Sequence, residues 1–221
     1  LKNYEKDARI LDVGCSGGSL MKALALSGYK NVYGIDNSPA AIQACRQMNI
    51  TNVSCMDGQN PEFAGETFDI IIASDVLEHF PNDRLALYNF KKILKKNGAL
   101  IVFVPAFNFF WSDFDRINHH YRRYTRTELR KKLHEANFHI KKISFWNFSL
   151  FFPALLMQLA TRAFNIRSRN TKQDLLLNNL GSGMNRLLIV LLKLENVAFK
   201  YVGLPVGMSV FGLARKNSND T

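Results

Sequence analysis

At 221 residues and 47% hydrophobic, the chain can bury a full core, most simply as one domain. Its three cysteines, Cys15, Cys45 and Cys55, form no Cys-x-x-Cys pair and no metal-ligand spacing with histidine. That excludes a structural zinc, sets the metal expectation at none, and points to a reducing, cytoplasmic compartment. A formal net charge of +11 favours anionic partners such as nucleic acid, acidic lipid head groups or phosphorylated substrates. About half of that excess is assigned to solvated helix surface such as Lys91, Lys92, Lys95 and Lys96.

Taken in order, strands and helices alternate to about residue 140, the pattern of a parallel sheet covered on both faces. The chain opens on Leu1 rather than Met, so further sequence is expected upstream. A strand is predicted over Arg9 to Val13, then a helix to Ser27 stopped by Gly28. A second strand spans Asn31 to Ile35, and Ser38-Pro39 opens the next helix with serine as cap and proline in the first turn. Strands follow at Asn52 to Met56 and Phe68 to Ala73, the latter a continuous apolar run suited to burial on both faces. A helix is expected from Asn82 to Lys96, ended by Asn97-Gly98, and a fifth strand from Ala99 to Val104. An aromatic loop then runs from Ala106 to Tyr124. Thr125 and Glu128 stand at capping-box spacing before a helix to Ala136. The last strands fall at Phe138 to Phe145 and Met208 to Ala214.

Four strand ends carry chemistry. Arg9-Ile-Leu-Asp-Val-Gly-Cys-Ser-Gly-Gly18 joins an apolar strand to a helix through a glycine turn, where a ligand can approach the backbone. Eighteen residues past Gly18, Asp36 ends the second strand, the distance at which nucleotide-binding folds place a ribose-binding carboxylate. The glycine spacing does not fit a dinucleotide fingerprint, which argues against an oxidoreductase. With Asp12, Gly14, Ser16 and Gly18 the stretch resembles the first motif of the class I S-adenosylmethionine-dependent methyltransferases; Ser16 departs from the strict pattern. Met56-Asp57-Gly58 and Ser74-Asp-Val-Leu-Glu-His79-Phe80 resemble later motifs of that family, each at a predicted strand end.

The resemblance covers about residues 8 to 145 and the final strand. It implies an α/β, Rossmann-like seven-stranded sheet, mostly parallel with an antiparallel last strand slotted between strands five and six, and helices on both faces. It implies S-adenosyl-L-methionine as cofactor and S-adenosyl-L-homocysteine as product. Carried over residue by residue, the cofactor would meet Asp12, Gly14, Cys15, Ser16, Gly18, Asp36, Asn37, Met56, Asp57, Gly58 and Ser74. It also implies a helix, upstream of Leu1, that closes over the cofactor. Plainer readings stand beside these: Asp36 as a helix cap, Asp57-Gly58 as a turn pair, and His79 as a packed residue. His79, His119 and His120 are candidate bases, should the acceptor need to lose a proton.

The acceptor side is expected at the loop after strand five. There Tyr121, Arg122 and Arg123 belong to a His-x-Arg-Arg-Tyr pattern that resembles a subgroup linked to glycan or lipid-linked sugar synthesis. The two arginines could clamp a phosphate or carboxylate, or merely pair with Asp113, Asp115 or Glu128. Residues 1–147 form the expected core, 148–206 an apolar helical insertion, 207–216 the final strand and 217–221 a tail. The insertion holds two apolar segments, around Phe145 to Ala160 and Leu187 to Leu192, followed by Arg162, Arg167, Arg169, Lys193 and Lys200. Neither is long enough to span a bilayer. They read either as a cap or homodimer contact, or as an interfacial element on an anionic membrane, which would place the protein peripherally on the inner face of the cell membrane. The expected activity is methyl transfer to a small-molecule or lipid-linked acceptor, of glycan or polyprenyl type. The rivals are a silent cofactor-binding scaffold at a membrane and a nucleic-acid methyltransferase. The latter is disfavoured because Ala73-Ser-Asp-Val stands where such enzymes carry a Pro-Pro-aromatic motif, so nucleic acid is not an expected partner.

Overall fold

The computed structural model describes residues 4–163, 182–199 and 201–217. Seven strands form one sheet: β1 (Arg9–Val13), β2 (Asn31–Asp36), β3 (Val53–Cys55), β4 (Phe68–Ser74), β5 (Leu94–Pro105), β6 (His139–Trp146) and β7 (Ser209–Arg215). Their order is β3-β2-β1-β4-β5-β7-β6, and only β7 runs antiparallel to its neighbours. The Rossmann-like sheet expected from sequence is the sheet that forms. Its centre is dry: Ile10, Leu11, Ile70, Ile71 and Leu100 are fully buried, as strands covered on both faces require.

The helices α1 (Ser19–Leu26), α2 (Pro39–Gln47), α3 (Asp83–Ile93), α4 (Asp113–Ile117) and α5 (Arg126–Glu135) begin where local chemistry starts them. Ser38 accepts a hydrogen bond from the Ala41 N–H at the head of α2, and Asn82 accepts one from Leu85 N–H at the head of α3. Thr125 and Glu128 close the reciprocal capping box of α5.

Two expectations are corrected. The helix predicted to reach Lys96 ends at Ile93, and β5 starts at Leu94, which pairs with Phe68 across the sheet. Lys95 turns back to Asp69 at 2.8 Å, so an ion pair and a strand pairing outweigh the helical composition of Leu94 to Lys96. The stretch from Ala106 to Tyr124 is not all loop: α4 lies inside it, started by a capping box of Ser112 and Asp115.

Beyond β6 the insertion forms α6 (Phe148–Ala163) and α7 (Ser182–Ala198). Glu195 on α7 is buried and accepts the N–H groups of Phe148 and Ser149, capping α6 from outside its own chain segment. α6 leans on the aromatic loop, where Phe151 packs against Phe107 and Phe110 and Arg162 donates to the Phe109 carbonyl. Lys142 reaches the Phe199 carbonyl from β6. Arg167, Arg169, Lys200 and the last residues of the tail lie outside the described residues. No helix among the described residues is long and apolar enough to cross a membrane.

Candidate active site

In an open parallel sheet the strand order reverses beside the first strand, and ligands bind beyond the strand C-termini there. β2 and β4 flank β1, and the cleft opens above that point. It measures about 540 Å³ and is lined by Gly14, Ser16, Asp36, Asn37, Asp57, Gly58, Gln59, Asp75 and His79 among others. A volume of this order suits a nucleoside-sized ligand.

The turn after β1 owes its shape to residues without room for side chains. Gly14 has φ +74°, and a Cβ there would come within 2.8 Å of Val76 Cγ2. Gly14 and Cys15 both donate N–H bonds to the Ile35 carbonyl, which ties the turn to β2. Asp36 then grips the same turn from the other side. Its Oδ2 accepts the Ser16 N–H at 2.9 Å and its Oδ1 accepts the Ser38 N–H at 2.9 Å. Each carboxylate oxygen keeps a further lone pair for a ligand hydroxyl. Asp57 accepts from Gln59 N–H and the Asn60 amide, a turn that Gln59 fastens to Asn82 at the head of α3.

Six of the expected cofactor residues line the cleft: Gly14, Ser16, Asp36, Asn37, Asp57 and Gly58. Five do not. Cys15 turns its thiol into the core against Gly34 and Cys45, and burial pushes that thiol up to about 12. Gly18 is the left-handed N-cap of α1 and faces Ile50 and Cys45. Met56 packs against the apolar core, and Ser74 donates to Asp75. Asp12 is buried under the turn; burial, reinforced by the charge of Asp36, raises its carboxyl to about 7.

Both arginines proposed for the substrate are already engaged. Arg123 forms a bidentate pair with Asp115, through Nε at 2.8 Å and Nη2 at 3.0 Å. Arg122 meets Asp83 at 3.0 Å and donates to the Pro81 carbonyl. The clamp reading is therefore corrected: these guanidinia hold the loop against α3 and α4. Asp83 also accepts from Tyr124 and Lys132, which together hold its carboxyl below the usual range despite burial. Tyr121 is 57% exposed and donates its N–H to the Glu78 carbonyl.

The histidines separate. His79 reaches the cleft, and its ring stands edge-on to His120 with centroids 4.6 Å apart. Burial, then the neighbouring His120, lowers the His79 pKa, so it is neutral at physiological pH. His120 Nδ1 bonds the buried Asp115 at 2.9 Å. His119 is exposed, with φ 55° in the turn after α4. Sequence reasoning missed Gln59 and Asp75, which line the cleft, and Glu78, 1% exposed, whose Oε2 lacks a hydrogen-bond partner. Burial pushes its carboxyl up to about 8. Its place beside His79 in sequence was the available signal.

Residues 11–102 match the family described as a methyltransferase domain. The chain is 32% identical over 128 residues to a ubiquinone biosynthesis O-methyltransferase of Coxiella burnetii, covering 55% of this chain and 49% of that protein. The family match and the order of the sheet liken this part of the chain to the class I S-adenosylmethionine-dependent methyltransferases. The chain spans about half the length of the curated relatives it matches. Among solved structures it superimposes on an S-adenosylmethionine-dependent methyltransferase from Methanosarcina mazei with a TM-score of 0.62 at 15% identity, over 98% of this chain and 95% of that one. It also matches the [4+2]-cyclase SpnF, with a TM-score of 0.62 at 20% identity, over 96% of this chain and 76% of that one. The same fold thus carries different chemistry, and the site must argue the reaction.

Proposed function

We propose that the protein transfers a methyl group from S-adenosylmethionine to an oxygen of a small-molecule acceptor with a lipid tail, of polyprenyl or lipid-linked glycan type. One observation carries the cofactor half: Gly14, Asp36 and Asp57, far apart in sequence, surround one cleft at the ends of β1, β2 and β3. A Cβ on Gly14 or Gly58 would drive into Val76 or Phe80, so the bare backbone lets these two side chains stand where they wall the cleft. Asp36 would hold the ribose hydroxyls and Asp57 the adenine end, with the turn backbone around Gly14 beside the amino-acid tail. The cofactor supplies a methyl group on a sulfonium, already electrophilic. The chain must hold the acceptor oxygen in line with it and remove one proton. Asp75 and His79 are the titratable groups lining the cleft after β4, and proton removal falls to that end.

Support for the acceptor half comes from the activity for which the relatives are named, O-methylation in ubiquinone biosynthesis, and from the insertion. On α6 and α7, Phe152, Leu156, Leu194 and Val197 are at least half exposed, and α6 leans on the aromatic loop, where Gln158 donates to the Phe109 carbonyl. With the basic charge, these faces fit the edge of an anionic bilayer. The test pairs labelled S-adenosylmethionine with an organic extract of membranes, and follows Trp111 and Trp146 fluorescence on vesicles of anionic lipid. Methyl label in the organic phase and a blue shift support the reading. Label in water-soluble acceptors alone, with no shift, removes the lipid part.

A further inference from the structure

We infer that Glu78, His79 and His120 form a binding site for a divalent cation of the zinc, manganese or iron class, at the acceptor end of the cofactor cleft. One carboxylate oxygen of Glu78 and one ring nitrogen of each histidine lie within 4.8 Å of one another. Two imidazoles and one carboxylate are a recurrent donor set for catalytic transition metals, and three protein ligands leave positions open for other oxygens. Ligand atoms around a tetrahedral ion at about 2.1 Å stand roughly 3.4 Å apart, so the three side chains need only a small closure.

Three observations point to a ligand rather than to packing. Glu78 is 1% exposed, and its Oε2 has no hydrogen-bond partner, a costly state for a buried carboxyl. Arg123, the loop cation whose charge reaches Glu78, is spent on Asp115 in a bidentate pair. The ring nitrogens are also set out as in metal sites, where a ligating histidine donates its other N–H to a carboxylate or carbonyl. His120 gives Nδ1 to Asp115, leaving Nε2 free.

The use of such an ion rests on the methyl-transfer reading; its binding does not. Its open positions would take the acceptor hydroxyl and lower that hydroxyl's pKa. The proton leaves to solvent, the oxygen's electron pair forms the bond to the methyl carbon, and the carbon–sulfur pair returns to sulfur. Asp75 and His79 line the same cleft, so the ion would lie within reach of the position where the methyl group must sit.

The experiment uses tag-free protein, stripped with chelator and carrying Cys55→Ser, since that thiol is exposed. Calorimetry with zinc chloride and with manganese chloride should show one saturable site. Glu78→Gln and His120→Ala should each weaken it by tenfold or more, while His134→Ala on the far helix should leave it unchanged. S-adenosylhomocysteine binding, measured on the same samples, reports separately on the cofactor reading. Should either variant lack a cooperative melt, anomalous diffraction from zinc-soaked wild-type crystals decides, with a peak expected between the three side chains. No saturable binding to wild type, wild-type affinity in both folded variants, or an anomalous map empty at that position overturns the inference.

Discussion

Removing one charge from the acceptor loop tests whether the loop is held as described. Asp115 is fully buried and accepts from Ser112, Arg123 and His120. Arg123 is itself only 10% exposed in its side chain. Asp115→Asn keeps the volume but strips the charge, leaving a buried guanidinium without its partner. Breaking such a pair from one side costs about 3–5 kcal/mol. For a chain of this size that is a fall in Tm of roughly 6–20 °C. Adding Arg123→Met removes the orphaned cation as well and should recover about half of the loss, a coupling of roughly 2 kcal/mol. Urea denaturation of the wild type, both single variants and the double variant measures the cycle, provided the slopes agree. A loss below about 1 kcal/mol for Asp115→Asn, or strict additivity in the double variant, would refute the account of this loop.

Two further outcomes follow. Glu78 and Asp12 have carboxyls raised to about 8 and about 7 by burial, so their share of stability is complete at acid pH and is lost as pH rises through those values. Between pH 6.5 and 8.5, metal-free protein should lose about 2–4 kcal/mol. Thermal melts that stay flat or rise over that interval contradict the burial of these groups as charged-state penalties. A Cβ at Gly34 would stand 2.5 Å from Met21 Sδ and 2.9 Å from Cys15. Gly34→Ala should therefore cost about 1–3 kcal/mol through overpacking under the glycine turn; an unchanged urea midpoint would show that α1 yields freely.

The parts of the fold that were legible in the sequence are those whose signals are local. The strand ends at Val13 and Asp36, the Ser38-Pro39 helix start and the Thr125–Glu128 capping box each rest on a few adjacent residues. The end of α3 was not legible, because Leu94 to Lys96 are good helix formers that a cross-sheet pairing and Asp69 recruit into β5. α4 hid among aromatics, its capping box closed by Asp115 where Glu or Gln is usual. At the site, the residues that motif order singled out, Gly14, Asp36 and Asp57, line one cleft. Adjacency misled for Cys15, because the left-handed Gly14 throws the next side chain into the core. The arginines could not be assigned from sequence, since their partners Asp83 and Asp115 are chosen by the packing of α3 against the loop.

The central claim is that carboxylates at successive strand ends hold an adenosine across the glycine turn. Calorimetric titration of S-adenosylhomocysteine into wild type and Asp36→Ala tests it most directly. Losing charge-assisted bonds to two ribose hydroxyls, about 1.5–3 kcal/mol each, predicts at least a hundredfold weaker binding in a variant that still melts cooperatively. Equal affinity in the two proteins, or no binding by the wild type, would contradict it.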